Sequence, residues 1–190
     1  MEKYVNHPKC IAIGECGLDY FRLPEDEVEK AQNIKKQKEV FIAQIEFAKK
    51  VKKPLIVHIR DASNDSRQIL VDYNAKEVGG VLHCYNASEH LLPLAEHNFY
   101  FGIGGVLTFK NAKKLIEVLP KIPKDKLLIE TDAPYLTPHP HRGERNEPYY
   151  TVFVASKMAE LLEISVEEIE NITTSNAKKL FKEFSSLCLD

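Results

Sequence analysis

The stretch Leu55-Ile56-Val57-His58-Ile59 is apolar at every position but one, with Pro54 before it and Arg60-Asp61 after it. A strand with one face in water alternates apolar and polar residues. Near-continuous apolarity marks a strand covered on both faces, as in a parallel sheet. Four more runs read the same way: Ile11-Ala12-Ile13-Gly14, Val81-Leu82-His83-Cys84-Tyr85, Phe101-Gly102-Ile103-Gly104 and Leu127-Leu128-Ile129-Glu130. Helical periodicity fills the gaps. It is clearest over 36–53, where Val40, Phe41, Ile45, Ala48 and Val51 share a face opposite Lys and Glu. Shorter helices are predicted over 66–73, 88–97 and 111–119. After Asp132 the rhythm changes. A loop rich in Pro, His and Arg (133–148) leads to helices predicted over 149–162 and 175–184, with capping-box spacing at Ser165-Val166-Glu167-Glu168 between them. The β-α-β-α alternation predicts a parallel α/β fold with right-handed crossovers.

Length and composition bound what such a chain can be. At 190 residues and 21.7 kDa it fits a single domain over 1–190. Charged residues make up 28% and the net charge is −2, so bulk electrostatics cannot coat nucleic acid, although a local grip on a phosphodiester remains open. No apolar run reaches the roughly 18 residues of a membrane span, and the opening MEKYVNHPKC has no signal-peptide core. The four cysteines form no Cys-x-x-Cys pair, which speaks against a disulfide framework or zinc ribbon. The expectation is a reduced, cytoplasmic, soluble protein.

The placement of the polar residues carries the chemistry. Glu15, His58, His83 and Asp132 each fall at or just past the end of a predicted parallel strand, and that edge of α/β sheets and barrels is where active sites lie. Taken singly, a histidine there is more often structural than a ligand, Thr131-Asp132-Ala133-Pro134 reads as a turn, and Glu15 could be solvated. Four such residues on four of the five strand ends have the composition of a divalent-metal site for Mg, Mn or Zn.

The motifs Ile13-Gly14-Glu15-Cys16-Gly17-Leu18-Asp19-Tyr20, Val57-His58-Ile59-Arg60-Asp61, Leu82-His83-Cys84-Tyr85, Glu130-Thr131-Asp132-Ala133-Pro134-Tyr135-Leu136 and Pro140-His141-Arg142-Gly143-Glu144-Arg145-Asn146-Glu147-Pro148 together resemble the TatD family of metal-dependent deoxyribonucleases. The likeness runs from about His7 to Phe181. It implies a TIM-type (β/α) barrel and a metal-dependent hydrolase that cleaves phosphodiesters of DNA, preferably single-stranded. By that resemblance Glu15 bridges two metals, His58 and His83 are imidazole ligands of the second, and Asp132 holds the first and takes the proton of the attacking water. Arg142 and Arg60 are candidate substrate-binding cations, with Arg60-Asp61 also able to orient a ligand from behind, and Tyr85 is a candidate base-stacking ring. Competing readings make Tyr85 core packing and let ion pairs from Arg142 and Arg145 to Glu144 and Glu147 staple their loop. Cys16 and Cys84, beside ligands, read as packing residues.

One departure from the family stands out. Its members open on a strand with a His-x-His pair, and the only such pair here, His139-Pro140-His141, belongs to the late loop. Five strands also fall short of the eight of a barrel. The expectation is therefore an incomplete barrel lacking its first βα units, with open edges that favour self-association, one of the family's two metals retained, and turnover weakened or absent. Two alternatives stay open. One is hydrolysis of another ester, such as an aminoacyl-tRNA bond. The other is an inactive α/β scaffold.

Overall fold

The computed structural model describes residues 3–182. Five strands, β1 (Ile13–Asp19), β2 (Leu55–Arg60), β3 (Gly80–Leu82), β4 (Phe99–Ile103) and β5 (Leu127–Ile129), form one sheet in the order β1-β2-β3-β4-β5. Every pairing is parallel. Sequential order with parallel pairing is the winding of a (β/α) barrel. Among the described residues the sheet stays open, with β1 and β5 at its edges.

The helices are α1 (Glu27–Val51), α2 (Ser63–Asp72), α3 (Lys113–Val118), α4 (Thr151–Leu162) and α5 (Val166–Leu180). Helix α1 begins well before the predicted 36. Asp26 caps it, accepting from the backbone N–H groups of Val28 and Glu29. Only Phe41, Ile45 and Ala48 are buried along it, so the apolar stripe shows in its second half alone. Helix α5 likewise starts at Val166 rather than 175, because the Ser165 hydroxyl accepts from the Glu168 N–H at 3.0 Å. Its predicted end at 184 and Cys188 lie outside the described residues. The segment expected as a helix over 88–97 is 3-10, Glu89–His97, with Pro93 inside it. A proline there removes an α-type hydrogen bond.

The sheet buries two faces unequally. Leu55, Val57, Leu82, Phe99, Phe101 and Leu127 enter the main core with Phe41, Ile45 and Met158. On the opposite face Val81, Tyr100 and Leu128 form a smaller cluster with Ile56, and Ala177, Leu180 and Phe181 at the end of α5 cover it. Asn176 anchors that cover, donating from its amide to the carbonyls of Lys124 and Leu127, both at 2.9 Å.

Strand β1 corrects one expectation. Glu15 does not follow the strand but is its third residue. Ile13 pairs with Leu55 and Cys16 with Val57, so three steps on β1 match two on β2. An extra residue of this kind is a β-bulge, which re-aims side chains. Ile13, Cys16 and Leu18 all reach the main core, and the bulge puts Glu15 out of phase with Ile13, on the side of His58. At Gly17 the backbones of β1 and β2 run so close that a Cβ would collide with the His58 carbonyl, and φ is 143°. Only glycine suits that position.

Candidate metal centre

Each candidate ligand is delivered by a strand or by the turn after it. The Nδ1 of His58, on β2, lies 2.9 Å from Glu15 Oε1, and its Nε2 lies 3.1 Å from Asp19 Oδ2. His83 follows β3 directly, with Nδ1 3.0 Å from Glu130 Oε2 and Nε2 3.1 Å from Asp132 Oδ1 and 3.8 Å from Glu15 Oε1. Glu15, His58, His83 and Asp132 thus share one patch, on the wall of a cavity of about 570 Å³.

The backbone around them departs from regular geometry. Cys84 and Asp132 hold φ of 44° and 58°, and Asp61, beyond β2, holds 54°. Non-glycine residues there cost of order 1–3 kcal/mol each and cluster at functional sites. Loop 131–136 is held from behind by Asn146, which is 2% exposed. Its amide donates to the Thr131 carbonyl at 2.7 Å and the Tyr135 carbonyl at 2.6 Å, and its backbone N–H donates to Pro134.

Glu130 and Asp19 carried no assigned role in the sequence reading, although both stand in its motifs. Glu130 grips His83 Nδ1 with Oε2 and accepts the Cys84 N–H with Oε1 at 2.8 Å. The grip requires Gly102, where a Cβ would run into Glu130 Oε2. A carboxylate holding one imidazole nitrogen fixes the tautomer and leaves the other free to bind. Glu130 does this for His83, whose Nε2 faces Asp132 and Glu15. Strand parity was the available signal for Asp19, which pairs in register with Arg60, two beyond His58 on one face.

Electrostatics follow from the acids. The hydrogen bond to Glu130 raises the His83 pKa to about 9, against desolvation and with help from Glu15 and Asp132. Burial, then the same three acids, pushes the Cys84 thiol up to about 12, and burial with Glu15 does the same for Cys16. Neither sulfur is a nucleophile at neutral pH, in keeping with packing roles.

Among the described residues no three His, Cys, Asp or Glu side chains enclose a common point as a metal cage. The acids and imidazoles satisfy one another by hydrogen bonds instead. In composition the donor set is of the oxygen-and-nitrogen kind that binds divalent cations.

The candidate substrate contacts separate. Arg60 lines the cavity, and its guanidinium lies 3.5 Å from the centre of the Phe21 ring. Arg142 does not line it. That guanidinium sits 4.1 Å from the Phe109 ring centre and donates to the Thr137 carbonyl. Among the described residues neither Arg142 nor Arg145 forms an ion pair, so the loop is stapled otherwise. His141 bonds Glu144 at 3.1 Å and stacks on Tyr150 at 4.4 Å. Tyr85 is in the cavity wall but 4% exposed, edge-on to Phe101 at 4.9 Å, with its hydroxyl donating to Ser88.

A parallel, barrel-type sheet with carboxylates and imidazoles gathered at one edge is the architecture of metal-assisted hydrolases of the α/β class. The chain belongs to the TatD related DNase family, whose model matches residues 1–182. It is 51% identical over 179 residues to the "Uncharacterized metal-dependent hydrolase YabD" of Bacillus subtilis (strain 168), covering 93% of this chain and 67% of that protein. It is 41% identical over 172 residues to the "Uncharacterized metal-dependent hydrolase YcfH" of Escherichia coli (strain K12), covering 90% of this chain and 62% of the relative. The fold superposes on the crystal structure of YjjV, a TatD homologue from Escherichia coli K12, with a TM-score of 0.83 and 26% identity, over 95% of this chain and 68% of that one. The chain spans about two thirds of the length of the curated relatives it matches.

Proposed function

We propose that this chain carries the catalytic patch of a metal-dependent phosphodiester hydrolase that cleaves single-stranded DNA. The carrying observation is the meeting of Glu15 and His58, on β1 and β2, with His83 and Asp132, from the turns after β3 and β5, within 2.9–3.8 Å contacts. The family's description as DNases and the relatives' names as metal-dependent hydrolases support the same reading.

Glu15, His58, His83 and Asp132 would hold a divalent cation, Mg, Mn or Zn. Bound there, it would acidify water and polarise a phosphoryl oxygen. Asp132, 32% exposed and held at φ 58°, faces the cavity and takes the proton of the attacking water. Glu130 keeps His83 turned so that Nε2 points into the patch. Arg60 supplies positive charge on the cavity wall for the phosphate. The free thiols of Cys10, Cys16 and Cys84 support a reducing, cytoplasmic setting. Among the described residues no helix is long and apolar enough to cross a membrane.

The test is hydrolysis by the purified chain with Mn²⁺, on single-stranded DNA and on bis(p-nitrophenyl) phosphate, beside aminoacyl-tRNA. Cleavage of both phosphodiesters, abolished in His83→Ala, is the expected outcome. Release of amino acid from aminoacyl-tRNA with no phosphodiester cleaved would refute the reading, as would activity unchanged in His83→Ala.

A further inference from the structure

A second cavity, of about 810 Å³, adjoins the first and shares Arg60 and Tyr135 with it. Its other walls are Asp19, Arg22, Asn33 and Gln37. The floor is already built. The Gln37 amide donates to the Asp19 carbonyl at 2.9 Å and to Asn33 Oδ1 at 2.8 Å, and Gln37 Oε1 accepts the Asp19 N–H at 2.9 Å. The one carboxylate present is committed elsewhere, since Asp19 Oδ2 faces His58 and Oδ1 accepts the Phe21 N–H.

The cations are not so committed. Among the described residues neither the Arg22 nor the Arg60 guanidinium makes a hydrogen bond or ion pair. Both guanidinium groups lie against Phe21, at 5.9 and 3.5 Å from its ring centre. Phe21, against Arg60, is 51% exposed, and Tyr135, in the wall of both cavities, is 71% exposed. Rings interleaved with unspent guanidinium groups form the surface that grips single-stranded nucleic acid, stacking on bases and pairing with phosphates.

Resting on the proposed phosphodiester activity, we infer that this second cavity is a subsite for the nucleotide next to the scissile phosphate. Its base stacks on Tyr135 and on the Arg60–Phe21 pair, and its phosphate is held by Arg22 and Arg60. The strand then crosses the rim made by Arg60 and Tyr135, which both cavities share. Such a subsite selects nucleotides from simple phosphodiesters without reading sequence, because every base offers a π-face.

The experiment is anisotropy of the full chain in EDTA, which prevents cleavage, with a labelled single-stranded DNA of about six nucleotides and an abasic oligomer of equal length. The wild type is expected to favour the base-bearing strand about tenfold. Tyr135→Ala should lose most of that preference and Tyr135→Phe should keep it. Arg22→Gln should flatten the slope of log affinity against log salt by about 0.7. Both positions are exposed, and thermal melts confirm that the variants fold. A wild type with no preference for bases, or a Tyr135→Ala chain that retains it, overturns the subsite. Failure of wild type to hydrolyse bis(p-nitrophenyl) phosphate would instead strike the phosphodiesterase reading, since base preference is measured without cleavage.

Discussion

Replacing Asn146 by Ala tests how the Asp132 loop is held. The change deletes two hydrogen bonds, at 2.7 Å to the Thr131 carbonyl and 2.6 Å to the Tyr135 carbonyl. At about 1 kcal/mol net for each, the loss is about 2 kcal/mol. Asn146 Oδ1 is buried without a partner, and removing such an orphan returns part of that, leaving about 1–2 kcal/mol. For a domain of this size the melting temperature should fall by about 2–8 °C. Asn146→Asp should fall further, because it sets an acceptor oxygen against two carbonyl oxygens in a site only 2% exposed. Circular dichroism melts give the temperatures, and hydrogen exchange shows whether amides 131–136 lose protection before the sheet does. An Ala variant within about 1 °C of wild type, or an Asp variant as stable as wild type, would refute the clamp.

Other expectations follow from separate contacts. Gly102→Ala should push Glu130 off His83 and weaken Mn²⁺ binding at least tenfold, as second-layer losses do at metal sites, and unchanged affinity by calorimetry would contradict this. Asp65 has its pKa lowered, first by the hydrogen bond from Lys38 and also by that from Tyr20, against desolvation. A depressed carboxylate adds stability above its ordinary value near 3.9 and loses it as pH falls through the lowered value. Wild type should therefore lose stability to acid more steeply than Asp65→Asn, and parallel curves would dismiss the interaction. Edges β1 and β5 of the open sheet should drive association of the purified chain, seen as sedimentation that rises with concentration. A concentration-independent monomer would rule it out.

Much of this architecture was legible from residues alone. The strands announce themselves because parallel strands are apolar on both faces, and His58, His83 and Asp132 stand out as polar residues interrupting or ending those runs. What stayed hidden depends on backbone detail. Glu15 reaches His58 through a bulge, and a one-residue register change has no periodic signature. Glu130 acts because Gly102, 28 positions earlier, leaves room for it, a relation no local pattern carries. The start of α1 was missed for a simpler reason. Its first turns face water, so the signal lay in end chemistry alone, the Asp26 cap with Glu27 and Glu29 in the first turn. Tyr85 and Arg142, chosen for their side-chain types, are occupied by their own neighbours, Ser88 with Phe101 and Phe109 with Thr137. Arg60, itself against Phe21, and Tyr135 line both cavities, whereas Tyr85 lines only the first and Arg142 neither.

The proposed function requires Glu15, His58, His83 and Asp132 to form a metal-binding patch. Its most direct test is the Mn²⁺ or Zn²⁺ content of the purified chain, measured by mass spectrometry beside Glu15→Ala. Stoichiometric metal in wild type, lost in the variant, is the expected result. No metal in either protein, or equal metal in both, would contradict the claim.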